Sequence, residues 1–257
     1  MRLAALCVAL LLAGCGSTVD APPQKRVPVR DWIGPEQVIL TAADGVKVYG
    51  RSREAIGEPK ALILLFHQAG SSKDEYADIQ RRLAAARYAS LAIDQRSGGD
   101  LFGPNETVKA LGHQGSYVEA KSDLEAALAW SRSGKLPVIL WGSSYSASLA
   151  FLVAADHPGV AALLAFSPDE YFDGKPSVRE AAHKLVMPVF VTSAQDSKEI
   201  AAARALLNVV PGDVRQQFVP VHGGVHGSST LIAPRNSSGT EEAWTAVLAF
   251  LDKVTRR

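Results

Sequence analysis

Cysteine is nearly absent from this chain: its 257 residues hold two, Cys7 and Cys15, both near the N-terminus. Zinc ribbons and thioredoxin-like redox sites need paired cysteines further along and are excluded. An excess of one charge is also missing, with 27 Lys and Arg against 26 Asp and Glu, so there is no electrostatic case for nucleic acid as a partner. No G-x-x-x-x-G-K-[ST] string occurs, and the glycines of "DQRSGGDLFG" lack the G-x-G-x-x-G spacing. Nucleotide and dinucleotide binding lose their main support, and no cofactor is expected. His222 and His226 have the spacing of a helical metal pair, but Gly223 and Gly224 between them oppose a helix and no third ligand is evident, so no metal is expected either. Internal repeats and low-complexity tracts are lacking. The N-terminal apolar run, Leu3 to Ala13, is too short to cross a bilayer as a permanent helix.

That run, preceded by Arg2, reads as a signal peptide over residues 1–14. It closes on Leu12-Ala13-Gly14-Cys15, which resembles the bacterial lipobox. The resemblance implies that Cys15 is diacylated and becomes the mature N-terminus, so that the membrane is a partner through a lipid anchor. Gly16 stands where an aspartate would signal inner-membrane retention, which favours the outer membrane, facing the periplasm. The alternative is an ordinary secretory peptide cut nearby. Cleavage would remove Cys7 and Arg2, leaving 26 charges of each sign and no disulfide. Residues 15–31, with the Pro-rich, basic "PPQKRVPVR", suit an extended tether. Residues 32–257 then suffice for one large α/β domain.

Within that domain, "EQVILTAADGVKVYGRSR" predicts two strands joined by a hairpin-type turn at Ala43-Asp44-Gly45. Continuous apolar runs follow at 61–67, 89–94, 137–141, 160–166 and 188–193, as expected of parallel strands buried on both faces, with a further strand near 216–221. Between them lie helical patterns: Tyr76, Ile79 and Leu83; Leu124 and Leu128; 145–156; 178–184; a segment through Leu207; and a last helix carrying Trp244, Val247, Leu251 and Val254. The alternation implies a mostly parallel, doubly wound sheet with helices on both faces, and chemistry in loops beyond the carboxyl ends of the strands.

"GSSYS", residues 142–146, sits between a buried strand and a helix. This is the setting of the nucleophile elbow, G-x-S-x-G, whose strained turn lifts the central serine above the sheet. Here the chain resembles the α/β-hydrolase superfamily, nearest its capless dienelactone-hydrolase and serine-esterase branches, in element order as well as motif. The resemblance implies the α/β-hydrolase fold, Ser144 as nucleophile and no large cap domain, since "SPDEYFDGKPSVREAAHKLVM" has room for one short helix only. Ser146 departs from the pattern by replacing a glycine. By frame, Ser143 should point away from the catalytic face, while Ser146 and Ser148 should pack as small helix residues.

A serine hydroxyl needs a base, and that base an orienting carboxylate. The superfamily order Ser, acid, His is met by Ser144, Asp196 and His226. Asp196 could instead cap the helix beginning near Ser197; Asp169 and Glu170 are competing acids, and His222 a competing base. The resemblance assigns oxyanion donors to the backbone N–H groups of Tyr145 and Ala69, the latter in "HQAGSS", where Gln68 occupies a position usually held by glycine. Gln68 and Tyr171 are candidate pocket residues, and His67 reads as a structural loop residue. The expectation is a serine hydrolase of the cell envelope that cleaves small or medium carboxylic esters. A serine peptidase of the oligopeptidase type, and a non-catalytic envelope binding protein on a degenerate hydrolase fold, are the alternatives.

Overall fold

The computed structural model describes residues 36–173, 175–213 and 215–256. The expected signal peptide, Cys15 and tether lie outside them. Eight strands form one sheet in the order β1 (Glu36–Thr41), β2 (Lys47–Arg53), β4 (Tyr88–Ile93), β3 (Ala61–Phe66), β5 (Val138–Ser143), β6 (Ala162–Phe166), β7 (Val189–Thr192) and β8 (Arg215–Phe218). β2 pairs antiparallel with β1 and β4, and every other pairing is parallel. Strands β3 to β6 are apolar on both faces because helices cover both. Ile139 and Trp141 of β5 pack into one layer with Tyr76, Phe166 and Trp244, while Leu140 packs into the other with Leu64 and Phe151.

The helices are α1 (Ala77–Ala85), α2 (Glu106–Leu111), α3 (Lys121–Ser131), α4 (Tyr145–Asp156), α5 (Val178–Ala182), α6 (Ser197–Val209) and α7 (Thr240–Thr255). α4 is buried from Tyr145 through Ala154, so its Ala, Leu and Val residues face protein all round. α2, which sequence periodicity did not reveal, is polar and short, and is specified by Asn105 capping the Val108 N–H at 2.8 Å. Between β6 and β7, α5 is the helix among the described residues, as expected of a domain without a large cap.

Chain order places β4 to one side of β3 and β5 to the other, so the winding direction reverses between β3 and β5. The loops leaving the carboxyl ends of these two strands, at His67 and Ser144, border that crevice.

Candidate active site

Ser144 sits between β5 and α4 with φ 61° and ψ −129°, a backbone conformation that costs a non-glycine residue energy and persists only where the surroundings enforce it. The Ser144 N–H donates to Phe166 O at 2.8 Å, pinning the turn to β6. Gly142 cannot be larger, since a Cβ there would lie 2.4 Å from Ser146 O and 2.5 Å from Ala147 Cα. The absent second glycine has a structural counterpart: Ser146 donates its hydroxyl to His67 O at 2.5 Å, tying α4 to the loop after β3, and also meets the Gln95 side-chain amide. Ser148 donates to Asp169 O at 2.6 Å, and Ser143 Oγ accepts the Ser228 N–H at 2.9 Å. Only Ser144 of the four meets an imidazole.

That imidazole is His226, whose Nε2 lies 2.8 Å from Ser144 Oγ. Its Nδ1 lies 2.8 Å from Glu199 Oε1. A carboxylate can only accept, so Nδ1 carries the proton and Nε2 is left to accept from the serine. Burial pushes the Glu199 carboxyl up, but the His226 hydrogen bond, the Ala194 N–H and the Ser167 hydroxyl together outweigh it and bring its pKa down to about 2. Ala194 N and Ser167 Oγ donate to Glu199 Oε2 at 2.9 and 2.7 Å. Ser167 also accepts the Gly227 N–H at 2.9 Å, so one hydroxyl links the acid to the histidine loop.

Asp196, expected as the acid, is not brought to His226. It is exposed and caps α6, its Oδ1 accepting the Lys198 and Glu199 N–H groups at 3.0 Å each. The sequence signal for Glu199 was "DSKE", a capping-box spacing that commits the aspartate to the helix end and sets a glutamate in the first turn. Asp169 and Glu170 are exposed, and the Glu170 carboxylate accepts the Val178 and Arg179 N–H groups at the start of α5. His222 stands 3.7 Å from Glu242 with its side chain mostly in solvent, away from Ser144.

Tyr145 opens α4, so its N–H has no preceding helical turn to bond. The Ala69 N–H likewise has no hydrogen-bond partner among the described residues. Gln68 turns its side chain toward the histidine loop, its Oε1 lying 3.3 Å from where a Cβ on Gly227 would be. Tyr171 donates to Ser167 O at 3.1 Å; burial raises its pKa, and the neighbouring Ser144 hydroxyl draws it down. His67 is structural as expected, its Nδ1 bonded to Gln68 O and its Nε2 to the Gln95 N–H, and burial lowers its pKa to about 4.

An open cleft of about 360 Å³ is lined by Gly70, which follows Ala69 in the chain, and by Ser97, Gln114, Gly115, Ser116 and Tyr117. The Tyr117 ring stacks on Tyr145 with centroids 4.2 Å apart, and Tyr145 Oη meets Ser97 Oγ at 2.6 Å. Sequence reasoning did not single out the six lining residues, which carry no periodicity or motif.

A strained serine above a mostly parallel sheet, opposite an imidazole on a later loop, is the arrangement of the α/β-hydrolase fold. Residues 57–219 match the family described as serine aminopeptidase, S33 (Hydrolase_4), and the chain belongs to that family of hydrolases. Human monoglyceride lipase is 30% identical over 131 residues, which cover 50% of this chain and 42% of that protein. Among solved structures, the esterase Pf2001 of Pyrococcus furiosus superposes with a TM-score of 0.67 at 18% identity, covering 86% of this chain and 93% of that one. A carboxyl esterase from Bacillus coagulans gives 0.68 at 12%, covering 87% and 100%. A dienelactone hydrolase from Anabaena variabilis gives 0.63 at 18%, covering 84% and 96%. At these identities the structural likenesses show the fold.

Proposed function

We propose that this chain is a serine hydrolase that cleaves small or medium carboxylic esters through a Ser144–His226–Glu199 triad. The observation that carries the reading is the 2.8 Å contact of Ser144 Oγ with His226 Nε2, backed by the 2.8 Å contact of Nδ1 with Glu199. His226 takes the serine proton as Oγ attacks the ester carbonyl, and the imidazolium so formed is stabilised by Glu199. The carbonyl oxygen becomes an oxyanion held by the Tyr145 and Ala69 N–H groups. Its collapse expels the alcohol, which receives the proton from His226, and leaves an acyl-enzyme. Water, activated by the same imidazole, then releases the acid.

The adjoining cleft supports the choice of substrate. Its lining side chains are uncharged, and Gln114 spends one amide N–H on Gly98 O at 2.7 Å, leaving its carbonyl oxygen to accept. Open, uncharged and walled by Tyr117, it suits a short uncharged group better than a long acyl chain. The family description favours a second reading, an aminopeptidase. That activity must hold a free ammonium group, and Glu119, the acid beside the lining, spends its Oε2 on the Ser116 N–H at 2.7 Å. Monoglyceride lipase, the partial relative, is named for an ester substrate.

The test reacts the domain with a fluorophosphonate probe and assays short-chain aryl esters beside aminoacyl anilides, in wild type, Ser144→Ala and Ser143→Ala. Loss of labelling and ester turnover in Ser144→Ala alone is expected. Faster turnover of the anilides would favour the peptidase. A wild type that neither labels nor turns over would favour the binding-protein alternative.

The lipobox-like segment supports placement in the cell envelope, anchored through Cys15 and facing the periplasm. Labelling with radioactive palmitate should be lost in Cys15→Ala; label retained by the mutant refutes the anchor.

A further inference from the structure

One buried acid has no part in the triad. Glu75, in the 3-10 turn Lys73–Tyr76, is 1% exposed. Its Oε2 accepts the Gln68 N–H at 3.0 Å, while Oε1 makes no hydrogen bond of good geometry. A carboxylate with an unsatisfied oxygen is costly to bury, so its place calls for a reason. Its surroundings supply one. Gln68 immediately precedes Ala69, the candidate oxyanion donor. The hydroxyls of Ser71 and Ser143 face the carboxyl, and Ser143 adjoins Ser144. Ser143 Oγ accepts the Ser228 N–H, and a Cβ on Gly227 would lie 2.4 Å from it, so it also underlies the histidine loop. Glu75 therefore sits beneath the three loops that bring the site together.

We infer that Glu75, as a carboxylate, is a positioning residue for the ester cleavage proposed above: it fixes the Gln68–Ala69 segment for oxyanion binding. An ionised acceptor holds a backbone N–H more strongly than a neutral one. Through Gln68 this fixes the orientation of the next peptide, where a misplacement on the order of 1 Å is expensive. The inference rests on the serine-hydrolase reading.

Its test uses the ionisation of the group. Burial pushes Glu75 up to about 7, with the Gln68 N–H, the two serine hydroxyls and His226 drawing it partly back. Of the titratable groups around it, His226 faces it from the loop after β8 and Tyr76 adjoins it in its own turn, where Lys73 is committed to Asp94 and Glu106. At pH 6 the wild type holds mostly the neutral acid, which Glu75→Gln mimics; at pH 8.5 it holds the carboxylate, which the variant lacks. Turnover of a short-chain aryl ester is measured for both proteins across this range. The expected result is equal kcat at pH 6, about a tenfold deficit of the variant at pH 8.5, and KM within about twofold throughout. A purely structural role would give one ratio at every pH, and that outcome, or unchanged kcat at pH 8.5, overturns the inference. If Glu75→Gln does not fold, Glu75→Asp replaces it: lower kcat with KM held supports the assignment, and unchanged kcat overturns it. A wild type inactive on every ester would sink the hydrolase reading itself, and the inference with it.

Discussion

Asp196 and Glu199 lie within one turn of α6, yet their carboxylates do opposite work. Asp196 satisfies two N–H groups at the helix start, and Glu199 reaches the imidazole. Asp196→Ala should therefore cost about 1 kcal/mol of stability in urea titrations while leaving kcat within about twofold of wild type. Glu199→Gln should keep the fold and lower kcat on the order of a thousandfold, because an amide no longer stabilises the imidazolium or enforces the Nδ1–H tautomer. The opposite ranking would return the acid's role to Asp196. Ser144 and His226 were legible in the sequence because an elbow after a buried strand and a histidine before glycine are local patterns. The carboxylate that meets the imidazole was not, because either one suits the spacing after β7. The choice turns on which one the helix end consumes.

At the scale of elements, the apolar runs of β3 to β7, the Ala-rich run of α4 and the helical spacing of α7 were readable, because burial all round leaves a continuous apolar run and burial along one face a helical period. The 3-10 turn Gly227–Leu231 and helix α2 were not, since local hydrogen bonds rather than periodicity specify them. Equally invisible was the clamp formed by Arg96, whose guanidinium joins Asp44 of the β1–β2 turn to the fully buried Asp123 of α3. Asp123 accepts the Arg96 N–H at 2.7 Å and Nε at 3.0 Å, so removing the arginine side chain strands a buried carboxylate. Arg96→Leu should destabilise the domain by roughly 3–5 kcal/mol, whereas Asp44→Asn, at the exposed end, should cost under about 1 kcal/mol. Equilibrium unfolding of the two variants checks this, and equal losses would mean that the clamp acts mainly through the turn.

For the whole molecule, stability and activity should pull in opposite directions at Glu75. A carboxyl whose folded pKa is raised to about 7 binds its proton more tightly in the native than in the unfolded chain, where the ordinary value is 4.5. Below the unfolded value both states hold the proton and the group contributes its full stability; as pH rises from 4.5 toward 7 the native state retains a proton that the unfolded state has lost, and stability falls. Above pH 7 the folded protein carries the buried charge at a cost of roughly 3 kcal/mol. Glu75→Gln removes that cost and should match the wild type in urea titrations at pH 4 yet exceed it at pH 8. This is the range in which its turnover is expected to be poorer. A variant less stable than wild type at pH 8 would mean that the carboxylate is satisfied in solution. The carboxylate would then hold the loops around Ser144 at no cost to the fold, and stability and activity would no longer oppose each other there.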